Sequence, residues 1–299
     1  MDAEVVWTDL TATDVADLLA QAGTPVSAYI VEQLFDLTGY GRRQAQKSSP
    51  MGEHPDRNAQ FLKIAELKQE YFDSPNPLLS IDTKKKELLG NYYRDGKLFT
   101  KEMIGTFDHD FPSFADGVVI PHGLYDLKFN RGYLHLGTSR DTSEFACAAL
   151  EDWWRRFGQL LYPQATSLLL LCDGGGSNSS RSNVFKEDLQ ELVNRMGLPV
   201  RVAHYPPYTS KYNAIEHRLF PHVTRACQGV IFKSLALVKQ LMEKTHTRTG
   251  LSVVVDILDQ VYKTGRKVAK EVKPTWNLLR DAILPLWNYQ MFPGRLGSS

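Results

Sequence analysis

A mixed α/β sheet flanked by helices, preceded by a small all-helical domain, is the fold this chain's pattern predicts. Three observations carry that expectation. The run at 167–173 (SLLLLCD) is apolar without alternation, as expected of a strand buried on both faces. Segments of helical period bracket it, at 143–162 and 182–196. The first forty residues show the helical period alone.

Taken in order, TATDVADLLAQAG places Val15, Leu18 and Leu19 on one helical face behind a Thr/Asp start, and Gly23 closes it. PVSAYIVEQLFDLTG repeats the pattern with Ile30, Leu34 and Leu37 and stops at Gly39. GYGRRQAQKS then predicts a short basic helix carrying Arg42, Arg43 and Lys47. Helix, turn and basic helix is the order of a helix-turn-helix, whose last helix lies in a DNA major groove. A plain helical packing domain stays open, because residues 1–40 hold seven acids and no Lys or Arg. Residues 48–60 read as a linker. FLKIAELKQEYF reads as an amphipathic helix with Phe61, Ile64, Leu67 and Phe72 inward, ended by the prolines at 75–77. Strands are expected at 78–82, 88–93 and within 118–138, with an acidic loop (DHDFPSFADG) between them. A long helix at 143–162 follows. After the 167–173 strand come a helix at 182–196, a strand at 198–205 and a helix beginning in KYNAIEHRLFPHVTRAC. Three early strands, then helix, strand, helix, strand, helix, is the order of a ribonuclease H-like sheet. The domain boundaries expected are 1–50, 51–77 for linker and helix, and 78–299 for the sheet domain with a basic helical C-terminal part.

Composition bounds the class. The chain has 299 residues, 42% hydrophobic and 23% charged, which is ordinary for a soluble globular protein. No apolar run approaches the roughly 20 residues of a membrane span. MDAEVVWTDL carries acids where a secretion signal needs bases. Cys147, Cys172 and Cys227 are odd in number and sit in apolar contexts, so neither a disulfide framework nor a zinc site is expected, and a cytoplasmic setting fits. The net charge of +1 hides an asymmetry. Residues 1–77 hold 6 Lys+Arg against 12 Asp+Glu, whereas residues 201–299 hold 15 against 6. A polyanion would be drawn mainly to the C-terminal third.

Two strand-like runs end on acids, Asp82 and Asp173, and Glu216 opens a helix. A carboxylate at the end of a buried strand is costly to desolvate. Three such groups in one cluster would repel one another unless divalent metal occupied it, and paired metals serve phosphodiester chemistry. Hard Mg²⁺ or Mn²⁺ prefers carboxylate oxygen, so no His or Cys ligand is needed. Singly, each acid also has a plainer reading: a turn cap before Thr83, a turn residue before three glycines, and a solvated helix acid.

The spacings of 91 and 43 residues, in this order, resemble the Asp-Asp-Glu triad of DDE transposases. The wording is closer still to the bacterial insertion-sequence branch known as the Rhodopirellula-type transposase DDE domain. The matching phrases are HPDRNAQF (54–61), IDTKKKELLGNY (81–92), CDGGGSNSSR (172–181), PPYTSKYNAIEHRLF (206–220) and WNYQMFPG (287–294). The resemblance implies a ribonuclease H-like catalytic domain in which Asp82, Asp173 and Glu216 hold Mg²⁺ or Mn²⁺, two ions in all. It implies cleavage of DNA at the ends of a mobile element and transfer of the freed 3′-hydroxyl into target DNA. Double-stranded DNA is the expected partner and a homodimer on DNA the expected assembly, in the bacterial nucleoid. Family members carry more sequence ahead of the first helix-turn-helix, a departure that bears on end recognition rather than on the acids. Two other readings stay open: a ribonuclease H-like nuclease, and a non-catalytic DNA-binding relic acting as a repressor.

Candidate DNA contacts surround the acids. Lys84 and Lys86 would share one face of a continuing strand, with Lys85 on the other, either gripping phosphate or guarding a sheet edge. Asn178 would touch DNA, orient Asp173 or cap a loop, and Arg181 closes the same phrase. Lys211, His217 and Arg218 flank Glu216, where Arg218 or His217 would contact substrate phosphate or His217 would equally serve packing, and His204 ends a strand. Residues 261–280 hold six Lys+Arg and one Glu. Lys263, Arg266, Lys267 and Lys270 there make the best sequence-independent backbone patch, or else the solvated face of a helix.

Overall fold

The structure, a computed structural model, describes residues 8–43 and 54–294. The chain divides into two compact units, residues 1–51 and 52–299. In the first, α1 (Ala12–Gln21) starts at a capping box: the Thr11 hydroxyl accepts from the Asp14 N–H, and the Thr11 N–H donates to the Asp14 carboxylate at 2.8 Å. The Ser27 hydroxyl caps α2 (Ala28–Leu37). Gly39, at φ +81°, stops that helix. The basic helix expected next is absent from its described part, because residues 40–43 are non-helical, with Arg42 and Arg43 exposed. Lys47 lies outside the described residues.

The second unit begins with α3 (Arg57–Phe72), so the last residues of the expected linker are already helical. Its inward face is Ile64, Leu67 and Tyr71; Phe72 is 41% exposed because the stripe follows i, i+3, i+7 from Ile64. The remaining elements are β1 (Leu78–Thr83), β2 (Glu87–Leu89), β3 (Gly117–Asp126), β4 (Arg131–Gly137), α4 (Ser143–Trp153), α5 (Gln159–Leu161) and β5 (Leu168–Cys172). There follow α6 (Asn183–Met196), β6 (Val200–His204), α7 (Ala214–Arg218), α8 (Phe220–Ala226), α9 (Leu235–Glu243), β7 (Ser252–Ile257), β8 (Leu278–Arg280) and β9 (Asn288–Met291).

The strands form one mixed sheet in the order β7-β4-β3-β1-β5-β6-β9-β8, with β2 beside β3. β1, β3 and β4 pair antiparallel, while β1, β5 and β6 run parallel across helical connections. This is the ribonuclease H-like mixed sheet predicted from the element order. Each face carries its own core. On one, Leu78, Leu169 and Leu171 pack with α3, α7, α8 and α9; on the other, Leu79, Ile81, Leu168 and Leu170 pack with α4 and α6.

Four local expectations need correction. The 143–162 helix contains a wider π turn at Trp154–Gly158. The helix carrying Glu216 breaks at Leu219 (φ −119°), ahead of Pro221 in the first turn of α8. The strand expected at 88–93 is confined to β2 at Glu87–Leu89. Residues 261–272 form a non-helical strap, interrupted at Gly265 with φ +85°, so the expected C-terminal basic helix does not form there.

Candidate active site

Strand period brings the acids to one face. Ser80 and Asp82 alternate with Leu79 and Ile81, which enter the core beneath α4 and α6. Asp82 therefore leaves β1 on the opposite face, the one covered by α7. Ile81 lies opposite Cys172 in the parallel β1–β5 pair, so Asp82 and Asp173 sit side by side where both strands end. In open α/β sheets that end of the strands is where ligand crevices form.

Glu216 arrives on α7, and the docking of α7 is built from buried groups. The Ser80 hydroxyl donates to the Asn213 side-chain oxygen and accepts from the Ile215 N–H at 3.0 Å. The Asn213 amide donates to the Ile81 carbonyl at 3.2 Å. Both side chains are fully buried. On β3, directly opposite Asp82, Gly123 leaves room for the helix: a Cβ there would lie 2.8 Å from both Ile215 and Phe220. Gly132 on β4 does the same for Leu219, at 2.4 Å.

The cluster is electrostatically self-opposed. Burial, the Asp173 charge, and the hydrogen bond and charge of Glu216 push the Asp82 carboxyl up to about 8, and only the Thr83 N–H at 2.7 Å acts against them. Asp173 is raised by burial and by the charges of Glu216 and Asp141, and its Oδ1 accepts from the Gly175 N–H at 3.3 Å. The charges acting on both come from other carboxylates. By its chemistry, a set of hard carboxylate oxygens in mutual repulsion fits a divalent cation such as Mg²⁺ or Mn²⁺. Among the described residues, no group of three His, Cys, Asp or Glu is already arranged to hold a metal ion.

Behind each aspartate lies a buried polar network. The His204 Nδ1 N–H donates to the Asp173 carbonyl at 3.2 Å, and its Nε2 faces the Tyr289 hydroxyl at 3.3 Å. Gln60 of α3 donates to the His204 carbonyl at 2.8 Å and exchanges hydrogen bonds with Asn288 of β9. Burial holds His204 down to about 4. On the other side, the Thr83 hydroxyl donates to Asp141 at 3.0 Å and so accepts from the His122 Nδ1 N–H at 2.9 Å. Burial and the neighbouring His135 charge hold His122 down to about 3. Sequence reasoning missed Ser80, Asn213, Gly123, Gln60 and Asn288. For Ser80, Asn213, Gln60 and Asn288 the signal was membership of, or adjacency to, the matching phrases; Gly123 lies outside them all.

A cleft of about 740 Å³ runs past Glu216, lined by Lys84, Lys85, Lys86, Tyr93 and His109. β1 ends at Thr83, so the three lysines form a connection and strand alternation does not apply to them. Lys84 pairs with Glu87 at 2.5 Å, which Arg94 also holds, leaving Lys85 and Lys86 exposed. The other expected contacts lie apart from that lining. Asn178 is 6% exposed in a tight turn with its Oδ1 buried and unpartnered, and Arg181 is exposed just ahead of α6. Lys211 is exposed, its ammonium 5.2 Å from the Tyr212 ring centroid. Arg218 lines a different cavity. Lys263, Lys267 and Lys270 are exposed on the strap, whereas Arg266 is paired with Asp188 at 2.7 Å and with Glu144.

The profile of the Rhodopirellula transposase DDE domain matches residues 1–293. No curated protein matches. Among solved structures, the Mos1 transposase paired-end complex with left transposon end is similar at 15% identity and a TM-score of 0.48, over 79% of this chain and 66% of that one. A pre-cleavage Mos1 transpososome is similar at 14% identity and a TM-score of 0.47, over 82% of this chain and 74% of that one. The chain thus spans just under two thirds of the length of the first of these.

Proposed function

The chain belongs to the Rhodopirellula transposase DDE domain family, and from that premise we propose that it cuts DNA at the ends of a mobile element and joins the freed 3′-hydroxyl to target DNA. What supports this reading is that Asp82 on β1, Asp173 just past β5 and Glu216 on α7 lie near enough for their carboxyls to act on one another. In the proposed reaction a water oxygen attacks the scissile phosphorus, and the 3′ oxygen leaves with a proton. The new 3′-hydroxyl then attacks a phosphorus of the target strand, giving up its proton, and that strand's own 3′ oxygen leaves and takes a proton up. Bound Mg²⁺ or Mn²⁺, two ions in all, would supply charge neutralisation at the phosphate and an activated oxygen.

The chain's own part is positioning. Asp82, Asp173 and Glu216 would hold the ions, and Ser80 and Asn213 would fix Glu216 against β1. Lys85 and Lys86 would meet backbone phosphate along the cleft, with Lys84 released from Glu87 as charge arrives. Asn178, Arg181, Lys211, Lys263, Arg266, Lys267 and Lys270 are proposed to contact the duplex outside the cleft, and Arg42, Arg43 and Lys47 to contact it from the first unit. Joining two ends in concert calls for two copies on DNA, so a homodimer is the proposed assembly.

Nicking of supercoiled plasmid in Mn²⁺ tests the reading, with Asp173→Ala and excess EDTA as controls. Nicking lost in both controls is the expected outcome. Since most of an acceleration of roughly 10⁶-fold or more hangs on the acids, residual cleavage by Asp173→Ala would count heavily against the assignment. Binding without nicking in the wild type would favour a repressor.

A further inference from the structure

α7 stands between two cavities. Glu216 and Phe220 line the larger, and His217, Arg218 and His222 line the smaller, of about 360 Å³. The remaining polar wall of the smaller cavity is Asn130, from the β3–β4 turn, with Thr247 and Thr249 ahead of β7. That wall is preorganised. Asn130 accepts from the Tyr125 hydroxyl at 2.8 Å and donates to the Thr249 carbonyl at 3.1 Å. The Thr247 and Thr249 hydroxyls lie 2.9 Å apart, and Thr247 accepts from the Leu251 N–H.

No carboxylate lines this cavity among the described residues. Burial first, and then the Arg218 charge, lower Lys68 of α3. Arg218 is the permanent charge on a lining whose other polar groups are hydroxyls, imidazoles and an amide. A guanidinium matches phosphate oxygens through paired N–H donors, and threonine hydroxyls suit the oxygens that remain.

We propose that this cavity seats a backbone phosphate of a nucleic-acid strand, on the side of α7 away from the acid cluster. The inference rests on DNA as the proposed partner and adds a second anchoring point to it. α7 has five residues, about 7.5 Å of rise at 1.5 Å each. One strand of duplex DNA carries a phosphate about every 3.4 Å of axis, so a strand running past Glu216 brings further phosphates to the other side of this short helix. A free phosphate ion would use the same groups, and the test separates the two.

The experiment is fluorescence anisotropy of a labelled duplex in EDTA across a salt series, with wild type, Arg218→Gln, Arg218→Lys and His222→Gln. Arg155→Gln, an exposed arginine on the face packed by α4, serves as control. Arg218→Gln is expected to weaken binding roughly ten-fold, uniformly across unrelated sequences, and to lower the slope of log affinity against log salt by about one. Arg218→Lys and His222→Gln should fall between, and Arg155→Gln should match wild type. Wild-type affinity and slope in Arg218→Gln would overturn the proposal. So would failure of the wild type to bind duplex, or loss of inorganic phosphate binding (read by phosphorus NMR) with duplex binding intact. Plasmid nicking in Mn²⁺ by the wild type, run alongside, tests the cleavage reading separately. Absent nicking with an intact Arg218 dependence would sink the cleavage reading and sustain this one.

Discussion

Asp82 is held by the fold in a state its charge opposes. Its carboxyl keeps a proton up to about pH 8 in the native chain, against 3.8 when free. Between those values the native state binds more protons than the unfolded one. The contribution of this group to stability is thus complete below pH 3.8 and is lost as pH rises through 8. Asp82→Asn is accordingly expected to stabilise the metal-free protein at pH 8, with a midpoint gain of roughly 2–4 °C per kcal/mol relieved, and to do little at pH 4. Thermal denaturation in EDTA at both values checks it, and a variant no more stable than wild type at pH 8 would refute the account. Mn²⁺ should raise the wild-type midpoint and leave that of Asp82→Asn nearly unmoved, because only a ligand bound to the native state stabilises it. The residue types and their order were legible in the chain. Their mutual repulsion required that strands 91 residues apart in sequence end side by side.

At the scale of elements, the site depends on how closely α7 approaches the sheet. Gly123→Ala would drive a methyl to 2.8 Å from Ile215 and Phe220. Overpacking of that kind typically costs 1–3 kcal/mol, and here the displaced element carries Glu216. Gly123→Ala is expected to lose most Mn²⁺-dependent nicking while circular dichroism shows the sheet intact. Full activity in that variant would mean that α7 need not lie this close. That α7 is helical was readable from its local pattern. Its end at Leu219 was not, because Pro221 sets a new helical start only where Leu219 and Phe220 have sheet contacts to fill. The strap at 261–272 shows the converse. Its spacing of Lys and Arg suits a helix, yet Arg266 is drawn to Asp188 and Glu144, and Tyr262 is buried beside Phe145.

At the scale of the molecule, buried imidazoles sit behind the site. His204 is held down to about 4 and His122 to about 3, both by burial first. The unfolded chain takes up these protons near 6.5, so their contribution to stability is whole above that pH and is lost as pH falls toward 4. The carbon-bound ring protons of His122 and His204 should hold their neutral NMR shifts from pH 8 to pH 5. Titration of either near pH 6.5 would show that the ring is not enclosed as described. These rings also explain why phrases far apart in the chain belong together. HPDRNAQF supplies Gln60, CDGGGSNSSR supplies Asp173, and WNYQMFPG supplies Asn288 and Tyr289, and all four meet around His204.

What the sequence by itself determined is the local part: element types along most of the sheet domain, and acids at the ends of two buried strands with a third on a helix. Hydrophobic period and capping act over a few residues, so a window of that size contains their cause. Only the tertiary structure decided that Ser80 bonds Asn213, that Gln60 pairs with Asn288, and that Gly123 makes room for Ile215. It also decided that α7 divides two cavities of different chemistry. Each of those outcomes joins residues about ninety or more positions apart. They rest on steric fit and on pairing buried polar groups, and neither exists until the sheet has brought the partners together.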